Sequence, residues 1–287
     1  MSDSSQRPPF LITAPPVPDS IRRMEPALRL DIADATATIR IANPAKRNAM
    51  TAGMWRALPE LLDRCAADPA VRVLVLTGEG QTFCAGADIS TLGADSAESS
   101  RDLAVAAEEA LAAFPKPTVA AVRGYCVGGG CQLAVACDLR FAAEDASFGI
   151  TPAKLGIVYA ASSTRRLVEL VGPATAKYLL FSAELVDAGR ALRTGLADEV
   201  WPAGELDKRV AEFARVLASR SQLTQAAAKE FAAGPADTER MAHWAAVARD
   251  SGDTAEGVAA FLERRAPRFG WTVPTPVPDR PLGAAGS

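Results

Sequence analysis

Three short stretches, RVLVLTG (Arg72–Gly78), PTVAAVRG (Pro117–Gly124) and DLRFAA (Asp138–Ala143), are almost continuously apolar. A strand wetted on one face alternates apolar and polar residues, so strands that do not alternate are covered on both faces. Segments of helical composition separate them: MWRALPELLDRCAAD, where Pro59 is a point of kinking or restart, then AESSRDLAVAAEEALAAF, then the run after Gly128. Buried strands that alternate with helices imply parallel crossovers and an α/β core. Ahead of them LRLDIADATATIRIA alternates, with a break near Asp34, and predicts an antiparallel hairpin. From Pro173 onward the segments rich in Ala, Leu, Glu and Arg all favour helix. The expected organisation is a Pro-rich tail over 1–28, a core over 29–205, a helical subdomain over 206–270 and a flexible tail over 271–287.

A formal charge of −3, with Lys and Arg scattered singly or in pairs, offers no basic face for nucleic acid. No apolar run approaches the roughly 18 to 20 residues needed to cross a bilayer, and no basic-then-apolar leader opens the chain, so no membrane partner and a cytoplasmic location are expected. Five cysteines without a C-x-x-C pair read as reduced, buried thiols. The single histidine, His243, lies in a helical pattern; neither a metal site nor a Ser-His-Asp triad can be built on it.

Chemistry concentrates in GYCVGGGCQLAVACDL, Gly124–Leu139, where a strand, a glycine-rich turn and a helix follow one another. Such a helix start leaves backbone N–H groups without partners. The glycines match neither G-x-x-x-x-G-K-[ST] nor G-x-G-x-x-G, which disfavours a nucleotide loop. A second loop, GEGQTFCAGADIS, also follows a strand directly. Two loops that each aim one N–H at the same oxygen form an oxyanion hole, in which one donor is worth about 2.7–4 kcal/mol of transition-state stabilisation.

NPAKRNAMT, VLVLTGEGQTFCAGADI, FPKPTVAAVRGYCVGGGCQLAVACDLRFAAEDASFG, TRRLVELVG, AKYLLFSAELVDAGRALRTGLADEV and EGVAAFLERRAPRF together resemble, in order and spacing, the crotonase (enoyl-CoA hydratase/isomerase) superfamily over about residues 28–270. The resemblance implies an α/β fold of repeated ββα units with a C-terminal helical trimerisation region. It also implies an acyl-CoA substrate with no cofactor beyond the CoA it carries, and a homo-oligomer that is a trimer or a dimer of trimers. Carried over position by position, the oxyanion donors are the N–H groups of Ala87 and Gly129. The segments around Lys46, Arg47 and Ala49, and around Ala85, Asp88 and Ile89, match those that hold CoA, with Lys46 and Arg47 facing its phosphates. Asp88 by itself reads as a loop-stabilising residue. Phe261 matches an aromatic directed at the adenine, with core packing the alternative.

Hydratases of this superfamily use two glutamates; here Gln132 and Pro152 occupy those positions. An amide orients a water but has no basic site near neutral pH, so a general-base term of roughly 10²–10⁴ in rate is missing at that position. The pocket is remodelled further by Ala160, Ser162 and Ser163 where glycines are common. FGITPAKLGIVY resembles the corresponding segment of members that decarboxylate methylmalonyl-CoA-type substrates, which places Tyr159 as a pocket residue beside an oxyanion hole that needs no base. A catalytically silent acyl-CoA binder is a further alternative. Glu108 and Glu109 match a helix that borders the pocket in the family; a solvated face is the expectation for them, with an inward turn that supplies a substitute acid the alternative.

Overall fold

In the computed structural model, residues 25–88 and 94–274 are described. Most of the N-terminal tail (1–24) and most of the C-terminal one (275–287) lie outside them. The chain opens with the expected hairpin, β1 (Ala27–Ala33) paired antiparallel with β2 (Thr36–Ala42). Asp34 and Ala35 turn it with φ of 49° and 61°, the left-handed pair that matches the twist of a two-residue hairpin. Helix α1 (Ala52–Ala67) follows, capped by the Thr51 hydroxyl, which accepts from the Met54 N–H. Pro59 lies within this single helix and neither ends nor restarts it; the lost bond is only the one that would return to Trp55.

β3 (Val73–Gly78), α2 (Ala94–Ala112) and β4 (Thr118–Val122) come next, then β5 (Tyr125–Val127), α3 (Gly129–Ala136), β6 (Leu139–Ala143) and β7 (Ser147–Gly149). Helix α4 (Ala161–Ser182) is interrupted where Gly172 takes φ 75° and Pro173 begins the second half. Within the stretch expected to be wholly helical, β8 (Val186–Asp187) and β9 (Glu199–Trp201) flank α5 (Ala188–Thr194). Both strands have only two or three residues, too few for a period-2 signal. Helices α6 (Leu206–Ala218), α7 (Gln222–Ala232), α8 (Thr238–Asp250) and α9 (Asp253–Leu262) complete the described chain.

The main sheet has the order β1-β2-β3-β4-β6-β9 and is parallel from β2 onward; a second sheet, β5-β7-β8, stands apart from it. β3 and β4 are buried along their whole length, as their unbroken apolar runs require. One face, carrying Ile39, Leu74, Leu76, Ala120 and Val122, joins the large core with α1, α2 and α3. The opposite face, carrying Val75, Val119, Ala121 and Phe141, is closed by Leu206 and Val210 of α6. Each such fully buried aliphatic or aromatic side chain contributes about 1.5–3 kcal/mol. All five cysteines are buried and unbonded. Burial pushes the Cys84 and Cys137 thiols up to about 12, so they remain protonated packing groups.

Candidate functional site

The site is built by stitching two loops together. After β3 the chain turns back, and the Phe83 and Cys84 N–H groups donate to the carbonyls of Arg123 and Tyr125, while Val127 N–H donates to Cys84 O. This lays residues 83–84 beside β5. A third segment, 47–50, adds the bonds Met50 N–H to Gly86 O, Asp88 N–H to Met50 O and Ala85 N–H to Arg47 O. Gly128 turns the chain from β5 into α3 with φ 55° and ψ −121°, a conformation open to glycine, and its N–H donates to Gly149 O at 2.9 Å. Gly130 lets the loops close up: a Cβ there would stand 2.3 Å from Cys84 O.

Two N–H groups are left over. Among the described residues neither Ala87 N–H nor Gly129 N–H donates a hydrogen bond, and a Cβ on Gly129 would lie 3.7 Å from the Ala87 nitrogen. Both residues border a cleft of about 310 Å³. Gly129 is also the first residue of α3, where aligned peptide dipoles favour negative charge. Trp55 packs over it. Further round the wall are Ala85 from the first loop, and Ala104, Val105 and Arg101 from α2. Pro152, Leu155, Ile157 and Val158, from the irregular segment before α4, form the remaining apolar side.

Tyr159 and Gln132 lie along this cleft. Tyr159 is half-buried; burial pushes its phenol well above the ordinary value, and nearby Cys131 and Glu108 act in the same direction. Its hydroxyl is therefore protonated throughout the neutral range. Gln132 belongs to a polar cluster behind the cleft. Its Nε2 donates to Glu108 Oε2 at 2.6 Å and to Ser163 Oγ at 3.2 Å. Ser163 Oγ donates to the same carboxylate oxygen, and Arg166 donates to Glu108 Oε1 and, at 2.9 Å, to Glu109 Oε2. Burial works against the charge on Arg166, but Glu108 and Glu109 together outweigh it and raise its pKa.

Glu108 corrects the expectation of a solvated face. It is fully buried, whereas Glu109 is exposed. A buried carboxylate is costly unless paired and hydrogen-bonded, and three donors meet this one. The clue was its phase: Ala104, Ala107 and Leu111 are the buried stripe of α2, and position 108 falls on it.

The residues matched to CoA-holding segments gather beside the Ala87 loop. Lys46 Nζ pairs with Asp88 Oδ2 at 2.7 Å, an ion pair that ties the 46–50 segment to the Ala87 loop. The Arg47 guanidinium lies over the Tyr125 ring at 4.8 Å, and Ala49 is buried. Pro152 borders the cleft; Ile89 lies outside the described residues. Phe261 is 82% exposed on α9, which removes core packing as its role within this chain. His243 sits exposed on α8, edge-on to Trp244, and no metal-binding cluster occurs among the described residues. Nor is any helix among them long and apolar enough to cross a membrane.

The family model described as enoyl-CoA hydratase/isomerase matches residues 31–271. A putative enoyl-CoA hydratase of Thermus thermophilus is 37% identical over 245 residues, covering 81% of this chain and 96% of that protein. The crotonyl-CoA hydratase of Syntrophomonas wolfei is 34% identical over 250 residues, covering 84% and 96%. Among solved structures, a putative enoyl-CoA hydratase/isomerase family protein from Hyphomonas neptunium superposes with a TM-score of 0.80 at 37% identity, covering 85% of this chain and 97% of that one.

Proposed function

Since the chain belongs to the enoyl-CoA hydratase/isomerase family, we propose that it acts on an acyl-CoA thioester whose carbonyl oxygen is held between the N–H groups of Ala87 and Gly129. The observation that carries this reading is the pair of adjacent N–H groups left without acceptors among the described residues, on the wall of a largely apolar cleft. Negative charge that develops on the thioester oxygen, in an enolate or a tetrahedral adduct, meets two fixed donors and the start of α3. The acyl chain runs along the apolar wall of Val105, Ile157 and Val158. Lys46 and Arg47, on the loop bonded to the Ala87 segment, are the cations offered to the CoA phosphates, and Phe261 is the exposed aromatic offered to its adenine.

Incubation with a pool of acyl-CoAs, read by mass spectrometry, identifies the reaction as gain of water, loss of carbon dioxide or an isomeric shift. Ala87→Pro removes the N–H that nothing else among the described residues uses, while Ala87→Gly keeps it. The proline variant is expected to lose about 10²–10³ in kcat and the glycine variant little. Equal turnover in both would remove the oxyanion assignment. Proline at Gly129 is a poorer probe, because a Cβ there meets Trp55 at 2.9 Å.

A second reading, decarboxylation of a methylmalonyl-CoA-type substrate, draws support from Tyr159. A phenol kept protonated at the cleft wall serves as a hydrogen-bond donor in a reaction that needs no base. Tyr159→Phe should then lower decarboxylation while leaving CoA-ester binding intact; an unchanged rate would dismiss the hydroxyl. If no acyl-CoA is altered but one is bound, the silent-binder alternative replaces both readings.

A further inference from the structure

Glu108 does not border the cleft, yet its carboxylate determines what the cleft presents. Gln132 Nε2 has two hydrogens, and both are used, one by Glu108 Oε2 and one by Ser163 Oγ. The reverse amide orientation would set Gln132 Oε1 against a carboxylate that is itself paired with Arg166, oxygen against oxygen. Ser163 cannot rescue that orientation, since its own hydroxyl proton goes to Glu108. Gln132 Oε1 accepts no hydrogen bond among the described residues, and Gln132 itself forms part of the cleft wall.

Resting on the reading of the cleft as an acyl-thioester site, we propose that Glu108 is a positioning residue that locks Gln132 as a one-way hydrogen-bond acceptor, so that the cleft selects acyl groups bearing a hydroxyl at their second or third carbon. The reach follows from the helix. Gln132 lies three residues beyond Gly129, hence on the same side of α3 and about 4.5 Å further along its axis. A thioester oxygen at the Gly129 N–H therefore brings the first carbons of the acyl chain past the amide oxygen. A group there that can only accept hydrogen bonds meets oxygen lone pairs instead of a donor. The carboxylate is screened from the substrate by Gln132, so it acts through the amide and takes no proton from the substrate.

The test compares the affinities of the full-length protein for butyryl-CoA, 2-hydroxybutyryl-CoA and 3-hydroxybutyryl-CoA by calorimetry. The native protein is expected to prefer one hydroxylated ligand over butyryl-CoA by roughly three- to tenfold, what one net hydrogen bond supplies. Glu108→Gln offers an amide that donates to Gln132 Oε1 and lets the side chain turn over. Its preference should fall to within about twofold while butyryl-CoA affinity is kept. Gln132→Met, with Glu108 still in place, should lower the ratio between hydroxylated and plain ligand as well, whatever it does to butyryl-CoA affinity itself, which covers a failure of the first variant to fold. Absence of the preference in the native protein, its survival in a folded variant, or an equal loss of affinity for all three ligands would overturn the proposal. If the native protein binds no butyryl-CoA at all, the acyl-thioester reading itself falls and takes this inference with it.

Discussion

Glu108 and Glu109 are neighbours in sequence and opposites in space, one sealed against Arg166, Ser163 and Gln132 and the other exposed. Composition reads AEEALA as a charged surface; helical phase, taken from Ala104, Ala107 and Leu111, separates the two. That Ala87 and Gly129 border one cleft could be anticipated from the family resemblance, because a backbone position depends on the loop it sits in more than on side chains. The partners of Gln132 could not, since they come from α2 and α4, 24 and 31 residues away. The cluster makes a prediction for Gln132→Glu, which sets a second carboxylate about 2.6 Å from Glu108 Oε2. Like charges this close raise the pKa of the pair above the ~4.3 of an unfolded glutamate. The folded state then holds a proton that the unfolded chain releases. Relative to the native protein, the variant is least destabilised below about pH 4.3 and loses up to about 1.4 kcal/mol per pH unit until the raised folded value is passed. Urea unfolding of both proteins at pH 5 and pH 8 checks this. A midpoint difference that is the same at both would show that Arg166 neutralises the pair completely.

At the scale of elements, the long strands and helices were readable because burial on two faces and a 3.6-residue period leave marks over five residues or more. The strands β5, β7, β8 and β9 have two or three residues each, and their pairing is set by what the tertiary fold brings alongside. The segment after α9 is another product of tertiary contacts. Arg265 pairs with both Glu256 oxygens at 2.6 and 2.9 Å, the Arg268 N–H donates to Glu256 at 2.6 Å, and the Gly270 and Trp271 N–H groups donate to Asp253 Oδ1. Arg265, and after it the Arg268 N–H, hold the Glu256 carboxyl at about 2 instead of 4.5. A depressed folded pKa means that the contribution is present above the ordinary value and is lost as pH falls from about 4.5 towards 2. Exposed ion pairs contribute little to global stability, so the expected effect is local. Hydrogen-exchange protection at 265–268, taken relative to the intrinsic rate at each pH, should fall across that window while the far-ultraviolet helical signal holds. Protection that persists until the whole chain unfolds would show that the Asp253 contacts alone retain the segment.

For the whole molecule, alternating buried strands and helices were enough to indicate an α/β core, but which surfaces stay wet depends on what else the chain meets. Large apolar side chains are left exposed towards its C-terminal end: Met241 at 51%, Val258 at 56%, Leu262 at 74% and Phe261 at 82%. Val258, Phe261 and Leu262 share the last turns of α9 within five residues. Scattered apolar residues on a surface are ordinary, but a cluster on one short helix commonly marks an interface. Together with the trimer or dimer of trimers that the sequence resemblance implies, this predicts a homo-oligomer that covers α9 with a second copy of the chain. Light scattering should give three or six chain masses. Replacing Val258 and Leu262 by aspartate places two charges where apolar contact is expected, and desolvating them would cost more than the contact returns. The double variant should therefore elute at one chain mass with its helical signal unchanged. A native protein that is already monomeric would leave the exposed α9 cluster without this explanation; a double variant that still assembles would move the interface elsewhere on the surface.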